Sequence, residues 1–164
     1  MIIRLKNKDT LIVDQFRFKC CIGKNGSTDN KIEGDKKTPK GTFEIENLYF
    51  RKDRKEKPTT ILKCIEIKKN MGWCNDIRYP KKYNKLFKIK RNIKHEKLRR
   101  KDNKYDFLIP IKYNFKKPIA GKGSCIFIHL TQNYKPTDGC IAIKKKDFLV
   151  LVKLINKKTK IKIF

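Results

Sequence analysis

Two short apolar runs, Cys125 to Leu130 and Cys140 to Ile143, constrain this chain more than any other feature. The first is almost wholly β-branched, aromatic or aliphatic and reads as a buried strand; the second reads as the start of another. Between them stands Pro136-Thr137-Asp138-Gly139, a turn signal whose glycine takes backbone angles that other residues resist. The reading is a pair of strands brought side by side, with His129 near the end of one and Cys140 at the head of the other. That places an imidazole within reach of a thiol.

The rest of the chain also reads as mainly β. Met1 to Leu5 and Thr10 to Val13 form an expected hairpin around Asn7 to Asp9, and Phe16 to Gly23 a strand with Phe16, Phe18, Cys20 and Ile22 on its core face and Cys21 pointing outward. Gly41 to Phe50, Thr59 to Ile67 and Tyr105 to Tyr113 are further strands. The polar stretch Lys68 to Lys85 is too long for an idle connection, and Trp73 within it suggests a loop packed against the site. His95 to Arg100 reads as a short helix. Phe148 to Ile155, flanked by lysines and preceded by Asp147, reads as a longer one, and Thr159 to Phe164 as a closing strand. The 164 residues suit one domain, with no linker-like composition and no internal repeat.

Chemically, a histidine beside a cysteine points to nucleophilic catalysis. A free thiol is only slightly ionised at neutral pH, and a neighbouring imidazole can take its proton. The amides of Gly139 and Cys140 would face a developing oxyanion, and Thr137 would brace the turn through its hydroxyl. The bland alternative is a hairpin turn with a core cysteine, since Asp-Gly between apolar runs is itself a hairpin signal.

The segment Thr137-Asp138-Gly139-Cys140-Ile141, after a strand ending in His129, resembles the signature of the L,D-transpeptidase catalytic domain. Gly34-Asp35-Lys36-Lys37-Thr38-Pro39-Lys40-Gly41-Thr42-Phe43 resembles the Thr-Pro-x-Gly-x-Phe element earlier in the same domain. Met71-Gly72-Trp73-Cys74-Asn75-Asp76, His95-Glu96 and Tyr105-Asp106 resemble features of a subset of the family. The likeness runs from about Phe18 to the C-terminus.

This resemblance implies a mainly β domain, a β-sandwich or curled mixed sheet with one or two short helices. It implies a cysteine acyltransferase acting on peptidoglycan stem peptides, with Cys140 as nucleophile, His129 as base and no cofactor or metal. Thr137, Asp138, Trp73, Asp76 and Tyr105 are candidate substrate contacts, although Trp73, Asp76 and Tyr105 also suit packing and loop capping. Two positions depart from the family pattern: Asp138 stands where most members have histidine, and Ala142 where many have Arg or Asn. A carboxypeptidase using water as acceptor and a non-catalytic basic binding protein remain alternatives.

Rival residues are weaker. Cys125 shares a strand face with His129 but lies about 13 Å along it, at about 3.3 Å per residue, and reads as core. Cys74 has no visible base, and His95 reads as structural or surface. The six cysteines carry no Cys-x-x-Cys spacing, and no disulfide framework is expected.

The net charge of +28 makes attraction to anionic polymers an expectation. The cations are 36 lysines and eight arginines dispersed along the chain, which does not suggest specific nucleic-acid recognition. No stretch approaches a membrane span, and the N-terminus lacks the apolar run of a signal peptide. The resemblance implies a cell-envelope or periplasmic location; the absent signal leaves a cytoplasmic one open.

Overall fold

The computed structural model describes residues 1–90 and 92–164. Its first half holds β1 (Ile2–Lys6), β2 (Thr10–Val13), β3 (Phe16–Cys21), β4 (Ser27–Thr28), β5 (Thr38–Pro39), β6 (Gly41–Glu44), β7 (Leu48–Phe50), β8 (Cys64–Glu66) and β9 (Met71–Cys74). There follow β10 (Leu86–Lys88), β11 (His95–Lys97), β12 (Phe107–Pro110), β13 (Phe127–Leu130), β14 (Ile141–Ile143), α1 (Lys145–Leu154) and β15 (Lys160–Ile163). The expected mainly β architecture is what forms: a curled mixed sheet with one helix.

Ten strands make one sheet in the order β6-β15-β1-β2-β3-β14-β13-β12-β7-β8. The chain itself forces this sheet to curl. Strands β6 and β7 occupy the first and ninth places, yet only residues 45–47 join them, a span of about 10 to 14 Å even when extended. An isolated antiparallel bridge between Ile45 and Ile111 holds the two ends together.

Alternation in the strands then separates two faces. Ile3, Leu5, Leu11, Val13, Phe18, Cys20, Ile128, Leu130, Ile141, Ile143, Ile161 and Ile163 point inward to the main core. The helix closes that core because Phe148, Leu151, Val152 and Ile155 recur at helical spacing and are all buried. Asp147 in its first turn and Lys153 in its last suit the helix dipole, and Phe148 stacks on Phe107 with ring centres 5.8 Å apart. Each such side chain contributes about 1.5 to 3 kcal/mol by leaving water.

Several boundaries differ from the sequence reading. Gly41 to Phe50 is two strands, because β6 pairs with β15 and β7 with β12 and β8. Only Cys64–Glu66 of the Thr59 to Ile67 run is strand. His95 to Arg100 is not a helix: His95–Lys97 pairs antiparallel with Met71–Cys74, and six residues are too few for periodicity to separate the two states. The stretch from Lys68 to Lys85 is not simply a loop, since it contributes β9, the centre of a three-stranded sheet in the order β10-β9-β11. Cys21 is buried, not exposed, because the segment before Thr137 folds over it; its thiol donates to the Lys135 carbonyl at 3.2 Å.

Candidate active site

The run from His129 to Cys140 is not a hairpin. Strands β13 and β14 are parallel, with Ile128 opposite Ile141, His129 opposite Ala142 and Leu130 opposite Ile143. Cys140 therefore sits just ahead of β14, two residues out of register with His129. On ideal strand geometry their Cα atoms are about 8 Å apart, from about 6.6 Å along and about 4.8 Å across. Ile141 and Ile143 face the main core, so Cys140 and Ala142 take the opposite face, which His129 and Phe127 also occupy. Both groups line one cleft of about 960 Å³.

The turn before Cys140 is fixed by its own residues. The Thr137 hydroxyl donates to the Cys140 carbonyl at 2.6 Å and accepts from the Gly139 amide at 3.1 Å. Thr137 is tied to the end of β3 through its amide to the Ile22 carbonyl at 2.9 Å and through its carbonyl, which takes the Lys24 amide at 2.8 Å. Gly139 has φ +136°, and a Cβ there would lie 2.9 Å from the Lys37 carbonyl. That contact explains why two distant sequence elements belong to one site. The Thr38-Pro39 segment packs beneath the turn, with the Thr38 hydroxyl accepting from the Gly23 amide at 2.9 Å. Lys31 is buried beside it and held by Asp35 at 2.5 Å.

The Cys140 sulfur accepts from the Phe127 amide at 3.4 Å and donates to the Cys125 carbonyl at 3.2 Å. Burial pushes this thiol up to about 12, only partly opposed by the Phe127 amide. Burial likewise lowers His129 to about 4, with Lys104 and Arg100 adding to the effect and the bond to the Leu130 carbonyl opposing it. At neutral pH the resting pair is thiol and neutral imidazole. The His129 Nδ1 lies 2.9 Å from the Leu130 carbonyl. A carbonyl only accepts, so Nδ1 carries the hydrogen and Nε2 is left with its lone pair.

Tyr105 lines the cleft and sets its ring edge-on to His129, with centres 5.3 Å apart. Its hydroxyl donates to Glu96 at 2.9 Å, and Arg100 lies over the ring while pairing with Asp102 and Glu96. Asp138 is exposed at the cleft rim.

Two other candidates do not line the cleft. Trp73 is buried under it, edge-on to Phe127, with its indole N–H donating to Asn84 at 2.9 Å. Asp76 is occupied in a loop, accepting from the Arg78 guanidinium and from the Arg78 and Lys94 amides. Cys74 is fully buried in β9, and His95 is held by the Ile93 carbonyl at 2.7 Å with its ring edge-on to Phe87.

Cys125 is not an inward-facing strand residue. The strand begins at Phe127, and Cys125 takes φ +56° and lines the cleft, its carbonyl turned to the Cys140 thiol. The residue that holds it there is Asn84, which the sequence reading missed. Its side-chain oxygen accepts from Trp73 and from the Cys125 amide at 3.1 Å, and its nitrogen donates to the Tyr113 and Asn114 carbonyls. Nothing local in Lys82-Tyr83-Asn84-Lys85 signals this, because all four partners are distant in sequence or on another strand. Arg100 was missed too, and Glu96 was noted only within His95-Glu96, with no sign in the sequence that it accepts from the Tyr105 hydroxyl beneath the Arg100 guanidinium.

The family profile of the L,D-transpeptidase catalytic domain matches residues 2–163. No protein with a curated description matches. Among solved structures, the helical cell shape determining protein Pgp2 from Campylobacter jejuni has a similar fold, with a TM-score of 0.52 and 21% identity. The similarity covers 99% of this chain and 46% of that one, so this chain spans a little under half of Pgp2.

Proposed function

Since this chain belongs to the L,D-transpeptidase catalytic domain family, whose enzymes act on peptidoglycan, we propose that it is a cysteine acyltransferase that forms a thioester on Cys140 from a wall-peptide stem. One observation carries the reading: thiol and imidazole lie on the same face of adjacent parallel strands, two residues out of register, on the wall of one cleft.

The chemistry follows from the resting protonation states. As the sulfur attacks the peptide carbonyl, its proton passes to His129 Nε2, and the C–S bond forms as the carbonyl oxygen becomes anionic. Among the described residues the Cys140 amide has no partner, so it is the candidate donor to that oxyanion; the Gly139 amide is already held by Thr137. Collapse breaks the C–N bond, and the imidazolium returns its proton to the departing amine. An acceptor amine then attacks the thioester, gives its proton to Nε2, and releases Cys140 as the thiol. A thiol held neutral is protected until a carbonyl is in place, and the Tyr105 ring packs edge-on against the imidazole.

Intact-protein mass spectrometry after incubation with a muropeptide tetrapeptide or a carbapenem tests this. The expected result is a covalent adduct on the wild type, absent in Cys140→Ala and slowed in His129→Ala. An adduct that survives Cys140→Ala overturns the reading. Adding a D-amino acid and following product masses separates transfer to an amine from hydrolysis.

No helix among the described residues is long and apolar enough to cross a membrane. We place the protein at the cell wall, as its family implies.

A further inference from the structure

The outer face of β6, β15, β1, β2 and β3 carries a concentration of positive charge that the catalytic chemistry does not use. The inward residues of these strands fill the core, so Arg4 and Lys6 of β1, Arg17 and Lys19 of β3, and Lys160 and Lys162 of β15 all point outward and are exposed. Their register places them in rows. Lys162 is opposite Arg4, Arg4 opposite Ile12 and Ile12 opposite Arg17; one step along, Lys6 is opposite Thr10 and Thr10 opposite Lys19. Among the described residues the strand carboxylate on this face is Glu44, paired with Lys112 at 3.2 Å; at the end of the Lys6–Thr10–Lys19 row the Asp9 carboxylate accepts from the Thr10 hydroxyl at 2.8 Å. Among the described residues none of the six cations has an ion-pair partner.

This face leads directly into the cleft. Arg17 and Lys19 alternate with Cys21 on β3, and Cys21 is opposite Ala142, the neighbour of His129 on the catalytic face. Charge platform and thiol therefore lie on the same side of one continuous sheet. At about 4.8 Å per strand, the Lys162 row is about 19 Å from Ala142, measured across four strand spacings. Lys19 also lies over the Tyr134 ring at 4.9 Å, which ties the platform to the loop that forms the cleft wall.

We infer that the outer face of β15, β1, β2 and β3 is a docking surface for the carboxylate-bearing peptidoglycan strand whose peptide enters the Cys140 cleft. The inference rests on the function proposed above. The argument for this occupant is charge complementarity together with continuity. Stem peptides of such a strand carry free carboxylates at intervals, and a strand lying across the sheet meets the cations before it meets the thiol. The surface would hold the polymer and raise the local concentration of its peptides at the cleft.

The test compares two full-length variants of equal net charge. One is Arg4→Gln/Lys6→Gln/Lys160→Gln/Lys162→Gln; the other removes four exposed lysines elsewhere, Lys63→Gln/Lys68→Gln/Lys69→Gln/Lys81→Gln. Co-sedimentation is measured with purified peptidoglycan sacculi freed of attached phosphate polymers, and with double-stranded DNA as a phosphate polymer. The platform variant should bind sacculi about tenfold more weakly than wild type, with the control variant within about twofold. Equal losses in the two variants would overturn the proposal in favour of net charge alone. A loss confined to DNA would overturn it in favour of a phosphate polymer. Adduct formation on Cys140 with a short soluble peptide should be unchanged in the platform variant. If wild type forms no adduct at all, the catalytic reading fails while the sacculus measurement still decides whether this face is the docking surface.

Discussion

Alkylation of Cys140 by iodoacetamide should show no plateau between pH 6 and pH 10. The thiol is pushed up to about 12 from an ordinary 9.0 because it is buried, so three pH units separate it from an unperturbed cysteine. At pH 7 this leaves about a thousandfold less thiolate, on the order of one molecule in 10⁵. The rate should therefore be about a thousandfold below that of a free thiol and climb about tenfold with each pH unit. Peptide mapping by mass spectrometry would follow Cys140 separately from the five other cysteines. His129→Gln should change this rate little, because the imidazole at about 4 carries no charge at neutral pH to stabilise a thiolate. The same substitution should still slow acylation by a peptide, where the base acts during attack. A plateau near pH 6 to 8 that His129→Gln abolishes would refute the reasoning, since it would mean a preformed thiolate–imidazolium pair.

Other consequences concern stability. His129 is lowered from 6.5 to about 4, so between those values the unfolded chain takes up a proton that the folded one refuses, and stability falls as pH falls. That loss amounts to up to about 3 kcal/mol, and His129→Gln should flatten this part of a urea-denaturation profile against pH. Gly139→Ala should cost about 1 to 3 kcal/mol in backbone strain alone, plus a displaced Lys37 carbonyl, and should slow adduct formation. Gly121→Ala, also at positive φ but with nothing near its Cβ and away from the cleft, should leave the adduct rate unchanged; equal loss in both would sink the packing argument. Asn84→Ala removes four hydrogen bonds at a buried position and should cost about 2 to 5 kcal/mol in denaturant titrations.

What the sequence determined by itself was whatever depends on neighbours in the chain. The period-two alternation of β1, β2, β3 and β15 and the helical spacing of Phe148, Leu151, Val152 and Ile155 put apolar groups on one face, and these elements form where that pattern places them. The Thr137-Asp138-Gly139-Cys140 turn was legible because Gly139 alone suits φ +136° and Thr137 bonds within three residues. Family membership was readable for the same reason, since two local motifs carry it. Only the tertiary structure decided the rest. Whether β13 and β14 run parallel, and so how far His129 stands from Cys140, depends on which strand Ile141 chooses as its partner. His95–Lys97 is strand because Met71–Cys74 arrives beside it, and Cys125 faces the cleft because Asn84, 41 residues away, holds its amide. Burial of the thiol and imidazole, which sets their protonation, comes with Tyr105 set against the His129 ring and with the Phe127 amide and Cys125 carbonyl held at the Cys140 sulfur. These are long-range contacts, and their free energy belongs to pairs of segments that no local pattern joins.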